Sequence, residues 1–386
     1  MAPLSLLVGT TKGAFVLTTD ECRETWSVSK PMCDLWPINH VVGASHTGTL
    51  WAAGGNAWFG AGVWKSDDQG ATWQLSKLSN GQMDAWLSSS PEEGDAFGWK
   101  ADPPAPFTDE VEAIWSLGIV GDTLFAGGKP GMLFSSDDYG ETWSMVESLS
   151  RHPEKDDWNP GAAGLVAHSI VASPEDPQKM WVGISAAGVF ASEDGGQSWE
   201  RRNRLSNAEA CAHHPHPAAP RDGQTGHCVH NMMRANEAGD VLYQQNHHGV
   251  FRSTDGGRSW DDVTAGLPST FGFPIRVHPR DGQTVWTIPL NGDASGRYPP
   301  DAAAAVWKSI DGGETWQAKR AGLPQQGCYF TVLRQAMAGD TRDPVGLYFG
   351  TNSGSVFASK DEGESWREVA SHLPTILSVE VLESAQ

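Results

Sequence analysis

One short run, Ser-x-Asp-x-Gly-x-Ser/Thr-Trp, recurs along the whole chain and restricts the possible folds more than any other feature. The copy Ser66-Asp68-Gly70-Thr72-Trp73 is followed by copies that begin at Ser136, Ser192, Ser253, Ser309 and Ser359 and end at Trp143, Trp199, Trp260, Trp316 and Trp366. A degenerate copy, Thr19-Glu21-Arg23-Thr25-Trp26, precedes them, and successive copies start 47, 70, 56, 61, 56 and 50 residues apart. Such intervals suit a four-stranded sheet plus its loops.

Each copy follows an apolar run such as GAFVL, AGVWK or HGVFR, which itself follows another such as LLVGT, LWAAGG or LYFGT. The run itself suits a tight turn. Its Ser and Asp side chains can accept backbone N–H groups, its Gly takes a positive φ, and its Trp packs into the sheet. Upstream, INHVVGAS, AIWSLGIV, HSIVAS, HNMMRAN, PIRVHP and YFTVLRQ supply an innermost strand to six units, while the first unit lacks one. The carboxy-terminal ILSVEVLE can fill that place and close the ring, leaving no free sheet edge. The expected architecture is all-β: one domain over residues 1–386, a seven-bladed β-propeller whose first blade contains both chain ends.

The boxed unit, repeated seven times, resembles the bacterial neuraminidase repeat, or Asp-box, family, which includes sialidases and sortilin-like propellers. More narrowly, His168-Ser169-Ile170, Gly226-His227-Cys228-Val229-His230, Gln245-Asn246-His247, Phe271-Gly272-Phe273-Pro274 and Tyr348-Phe349-Gly350-Thr351 resemble a group of bacterial proteins labelled sialidase-like or glycosyl hydrolase. A sialidase needs an arginine triad, a Tyr/Glu nucleophile pair, an Asp acid/base and usually an early Arg-Ile-Pro. That set finds no place here: the chain has five tyrosines, and Phe273-Pro274-Ile275-Arg276 has another order and falls in the sixth unit. A sialidase-like exo-glycosidase is therefore the disfavoured alternative.

Composition narrows the partners. Gly 44, Pro 24 and Trp 18 describe a turn-rich chain whose aromatics carry much of the core. A net charge of −20 repels nucleic acid and anionic lipid. The amino terminus lacks a basic signal-peptide region, no run approaches the roughly 20 apolar residues of a membrane span, and five cysteines are too sparse for a disulfide scaffold. A cytoplasmic location, a small-molecule substrate and no nucleotide cofactor are the resulting expectations; the oligomeric state stays open.

In propellers of this kind the boxed turns lie on one face and ligands bind on the other, at the channel mouth. Counting seven residues back from the boxes places Lys12, Lys129, Ser185, Asn246 and Asn352 in the turns at that mouth. The starts of inner strands add Asn39, His40, Glu112, His168, His230 and Phe271 to Phe273, with Arg334 further along. His168, His230 and His247 can converge as ligands of Zn²⁺, Mn²⁺ or Fe²⁺, with Gln245 as an oxygen ligand and Asn246 and Glu112 beside it. The propeller lyases that this arrangement resembles hold a divalent metal on histidines at the channel mouth. The competing reading is that each histidine hydrogen-bonds a backbone carbonyl where the ring narrows.

Cys228, two residues before His230, can join the ligands or act as a nucleophile; the alternative is a merely buried thiol. A second group, Cys211, His213, His214 and His216, matches no standard zinc spacing. Covering loops are expected at residues 74–111, 144–167, 200–227 and 291–304, the last carrying Arg297 and Tyr298. They suggest a lidded pocket. The function expected is a metal-assisted lyase or hydrolase for a small carboxylated or sugar-like molecule. In it His168, His230, His247 or Glu112 moves the proton, and Lys12, Asn39, His40, Lys129, Asn246, Arg297, Arg334 and Asn352 bind substrate. A non-catalytic propeller that binds glycan or peptide is the other alternative.

Overall fold

The computed structural model describes residues 4–206, 223–236 and 239–383, and the Cys211 to His216 group lies outside them. Seven four-stranded antiparallel sheets form a ring, and their innermost strands contact one another in succession around it. Blade 1 joins Leu4–Thr10, Gly13–Thr19 and Trp26–Val28 to the carboxy-terminal strand Ile376–Glu383, which pairs antiparallel with Leu4–Thr10. Blades 2 to 6 open on the inner strands Ile38–Ala44, Ala113–Val120, Ala167–Ala172, Val229–Arg234 and Gly272–His278.

Blade 7 departs from the expected pattern. Its inner strand is the short Met337–Gly339, not the run from Tyr329 to Gln335. Within that run Phe330 packs on Phe349 and Phe357, and Gln335 makes only an isolated parallel bridge to Ser378. An apolar stretch can fill a core without entering a ladder, and composition does not separate the two cases.

In blades 2 to 7 the repeated turn forms the same hydrogen-bonded knot. In blade 2, Ser66 donates to Asp68 at 2.8 Å and accepts the Gly70 N–H, while Asp68 accepts both the backbone N–H and the hydroxyl of Thr72. Blade 1 builds its knot differently: Asp20, one residue before the expected Glu21, accepts the N–H groups of Glu24 and Thr25.

These knots also bind neighbouring blades. Trp51, Trp181 and Trp286, on the second strands of blades 2, 4 and 6, donate Nε1–H to the carbonyls of Tyr139, Gly256 and Glu362 in the following blade's turn, at 2.7, 2.8 and 3.1 Å. Each acceptor follows the turn's Asp and has positive φ (61°, 72° and 59°). The apolar core accordingly lies between blades rather than at one centre. One cluster joins Trp181 and Val189 to Trp260 and Phe251, and another joins Tyr243 to Ile275 and Trp316.

Two of the expected covering loops contain α-helix, at Gln82–Ser89 with Pro91–Phe97 and at Glu147–Ser150. No helix among the described residues is long and apolar enough to cross a membrane.

Candidate functional site

The channel mouth is shaped by β-bulges. In blades 2 to 5 the inner strand gains one unpaired residue near its start, at Asn39, Trp115, His168 and His230. A bulge breaks the alternation of side chains and re-aims the extra residue. Three of the four reach across to the next blade. Asn39 donates to Ile114 O at 2.8 Å, His168 Nε2–H to Val229 O at 2.8 Å and His230 Nδ1–H to Gly272 O at 2.6 Å. Ser116 makes the equivalent bond from blade 3 to Ala167 O. The mouth is thus laced by side chain to backbone bonds in which each ring nitrogen facing a carbonyl must carry the proton.

This lacing separates the two histidines chemically. Once His168 has donated through Nε2, its Nδ1 accepts from the Ser169 hydroxyl at 2.8 Å. Both nitrogens are engaged inside the wall, and burial, aided by the Arg334 charge, pushes its pKa down to about 3. His168 is therefore not a member of the metal group expected from sequence. His230 donates through Nδ1 instead, so its Nε2 lone pair faces the pocket and lies 3.6 Å from Cys228 Sγ. Burial first, then the Arg334 charge, holds His230 well below the ordinary imidazole range, so it is neutral.

His247 sits in the two-residue turn between the second and third strands of blade 5, and its backbone N–H donates to Cys228 O at 2.9 Å. One donor atom each from Cys228, His230 and His247 lies within 4.8 Å of the others. Burial pushes the Cys228 thiol upward, a trend that the Arg334 charge opposes. Cys228 therefore takes the place that sequence assigned to His168.

These residues line a cavity of about 180 Å³ together with Ser185, Phe271, Phe273, Asp293, Arg297 and Arg334. Arg334 lies 5.1 Å from the centroid of the Phe273 ring. Among the described residues no hydrogen bond satisfies its Nε and no carboxylate pairs with it. Arg202 and Arg234, which are more fully buried, pair with Glu193 and Glu200 and with Glu175, while Arg276, like Arg334, has an unsatisfied Nε and among the described residues bonds only the Gly339 carbonyl. Arg297 comes from the insertion over 291–304, whose two 3₁₀ turns span Asp293–Ser295 and Pro300–Ala302. It bonds Asp293 at 2.5 Å and covers Phe271 and Phe273.

The other predicted residues hold the wall or the rim. Gln245 donates to the carbonyls of Asn246 and Thr270 and faces the Thr287 hydroxyl within the wall, and it does not line the cavity. The fully buried Asn246 donates to Gly226 O and accepts the His248 N–H. His40 accepts the Leu117 N–H and meets Glu380 inside the channel, away from the pocket. Glu112 pairs with Lys129 at 2.9 Å on the rim, so neither joins the histidines. Lys12 is exposed, and Asn352 accepts the Thr331 N–H. Ser185, placed at the mouth by the spacing of the boxes, does line the cavity, whereas Asp293 was missed; its charge on an insertion beside Arg297 was the available signal.

Fold and site together define a seven-bladed propeller with a polar, cysteine- and histidine-lined pocket at one mouth. No family model matches the chain. A xyloglucanase of Hypocrea jecorina is 23% identical over 248 residues, which are 64% of this chain and only 25% of that protein. An ancestral GH74 enzyme superposes with a TM-score of 0.57 at 15% identity, covering 86% of this chain and 38% of that one. YCF48 from Cyanidioschyzon merolae does so with a TM-score of 0.52 at 14% identity, covering 86% and 85%. At these identities the structural likenesses show the fold alone, and the chain spans about a quarter of the xyloglucanase.

Proposed function

We propose that the pocket is the active site of a metal-assisted hydrolase or lyase acting on a small carboxylated molecule. The observation that carries this reading is the half-buried Arg334 guanidinium on the cavity wall, which has no carboxylate partner among the described residues. A guanidinium stays charged at every physiological pH, and leaving it unpaired away from water is costly. A ligand carboxylate supplies the missing partner in a bidentate geometry. Arg297 adds a second guanidinium on an insertion that covers the ligand, and Phe271 and Phe273 supply apolar faces.

The neutral His230 and the adjacent thiol sit beside this anion site, where a proton acceptor or a metal-activated water is useful. The weak similarity to a xyloglucanase is compatible with a sugar-like substrate. The two-carboxylate chemistry of most glycosidases receives less support, because Asp293 is the only carboxylate among the described lining residues.

Calorimetric titration of the protein with uronates and aldonates, each against its neutral sugar, tests the reading. Acids are expected to bind and neutral sugars not, and Arg334→Gln is expected to abolish binding while leaving the melting temperature within a few degrees. Equal binding of acid and neutral forms, or none by either, refutes the anion site. Binding without turnover in the presence of divalent metal ions favours the non-catalytic propeller.

A further inference from the structure

We infer that Cys228, His230 and His247 form a three-ligand Zn²⁺ site whose open position faces the Arg334 cavity. For what the metal does, this rests on the reading of the pocket as an active site; the site itself stands on the donor geometry.

The three donor atoms converge from different parts of one blade. Cys228 precedes the inner strand, His230 is the bulged residue on it and His247 occupies the neighbouring turn. Zinc bonds of about 2.3 Å to sulfur and about 2.05 Å to nitrogen at a tetrahedral angle put S and N about 3.6 Å apart. Cys228 Sγ and His230 Nε2 already stand 3.6 Å apart, and the third donor lies within 4.8 Å. An S–H···N hydrogen bond accounts for the first pair. It does not account for the arrival of a third donor at the same point.

The next shell is arranged as a metal site requires. Gly272 O fixes the tautomer of His230 and turns its Nε2 lone pair into the cavity, the usual arrangement for an imidazole ligand. Phe271 and Phe273 pack against that ring and hold its plane. Ser185 lies 3.9 Å from the sulfur. A metal binds the thiolate and displaces its proton, so the weakened acidity of the buried free thiol is not an obstacle.

The donor set chooses the ion. A thiolate with two imidazoles is soft to intermediate, which favours Zn²⁺ over Mg²⁺, Ca²⁺ or Mn²⁺. Three protein ligands leave a fourth position for water or substrate, as in catalytic rather than structural zinc sites. That position opens on a cavity which also contains Arg334 and Asp293. An acid held by Arg334 would therefore lie beside the metal-bound water.

The test uses the full chain, purified without a metal-affinity tag, stripped with chelator and titrated with Zn²⁺ and Co²⁺. The wild type is expected to take up one equivalent that Cys228→Ser loses, and its Co²⁺ form to show the near-ultraviolet thiolate charge-transfer band and the strong visible bands of a tetrahedral ion. Cys228→Ser removes the charge-transfer band, and His230→Ala lowers Zn²⁺ affinity by more than the 10- to 100-fold typical of orienting partners. His247→Gln, a change in a half-buried turn, guards against misfolding and is expected to weaken Zn²⁺ similarly with unchanged circular dichroism.

Equal uptake by wild type and all three variants, or no thiolate band in the wild type, overturns the site. Loss of zinc binding with intact binding of carboxylates would leave the anion pocket standing. Tight zinc with no carboxylate binding would sink the pocket's proposed substrate and leave the zinc site standing.

Discussion

Replacing His168 separates a wall residue from a ligand. The side chain is 1% exposed and makes two short bonds, to Val229 O and with the Ser169 hydroxyl, both at 2.8 Å. His168→Ala strands the carbonyl and the hydroxyl, each at about 1–3 kcal/mol, and leaves a cavity, for a total of about 3–5 kcal/mol. With an unfolding entropy of about 2.1 cal/mol/K per residue, hence about 0.8 kcal/mol/K for a chain of this length, the melting temperature falls by about 4–6 °C. His168→Asn should lose less than half of that, because Asn39 already makes the equivalent bond to Ile114 O two blades earlier. Thermal melts followed by circular dichroism, with Zn²⁺ titration of the same samples, read both effects. The reasoning fails if His168→Asn melts as low as His168→Ala, or if either variant loses more than about tenfold in Zn²⁺ affinity.

Other consequences can be checked on the same material. His168 has a folded pKa pushed down to about 3, below the roughly 6.5 of an unfolded histidine, so the unfolded chain takes up a proton that the native state refuses. Its contribution is complete above about pH 6.5 and is lost as pH falls toward 3, so urea midpoints of His168→Asn should fall less steeply over that window. The turn aspartates Asp68, Asp138, Asp194 and Asp311, held at about 2 chiefly by the hydroxyls of Thr72, Thr142, Ser198 and Thr315, act lower. Their stabilisation is present above about pH 4 and vanishes toward pH 2, so Asp311→Asn should flatten that limb in acid-unfolding curves. Trp181→Phe deletes the 2.8 Å bond that joins blades 4 and 5 and should cost about 1–3 kcal/mol in melting experiments; stability unchanged within error would mean that the link is idle. Glu112→Gln, on the rim with Lys129, should alter neither ligand nor metal binding; a tenfold loss in either titration would return Glu112 to the site.

The chain itself determined the ring. Turn chemistry is local: Ser, Asp, Gly and Ser/Thr at fixed spacing can satisfy one another's hydrogen bonds without reference to the rest of the molecule, so seven copies announced seven blades. Closure was also legible, because the first unit visibly lacked a strand that the carboxy terminus could supply. Part of the pocket was legible too, since His230, His247 and Cys228 belong to one blade and are close whatever the other six do.

What the sequence left open depended on contacts between blades. Which ring nitrogen of a histidine keeps a lone pair, and where that lone pair points, is decided by which carbonyl the next blade presents to the N–H. Val229 O met Nε2 of His168 and Gly272 O met Nδ1 of His230, so one became wall and the other a donor to the cavity. The bulges that re-aim these side chains have no composition of their own. Arg334 reached the pocket from a segment outside the regular ladder, more than a hundred residues after Cys228, and only the closed ring set its charge beside that thiol. Short-range geometry is carried by neighbouring residues, whereas tautomers, ion pairs and cavities depend on which atoms arrive from elsewhere in the chain.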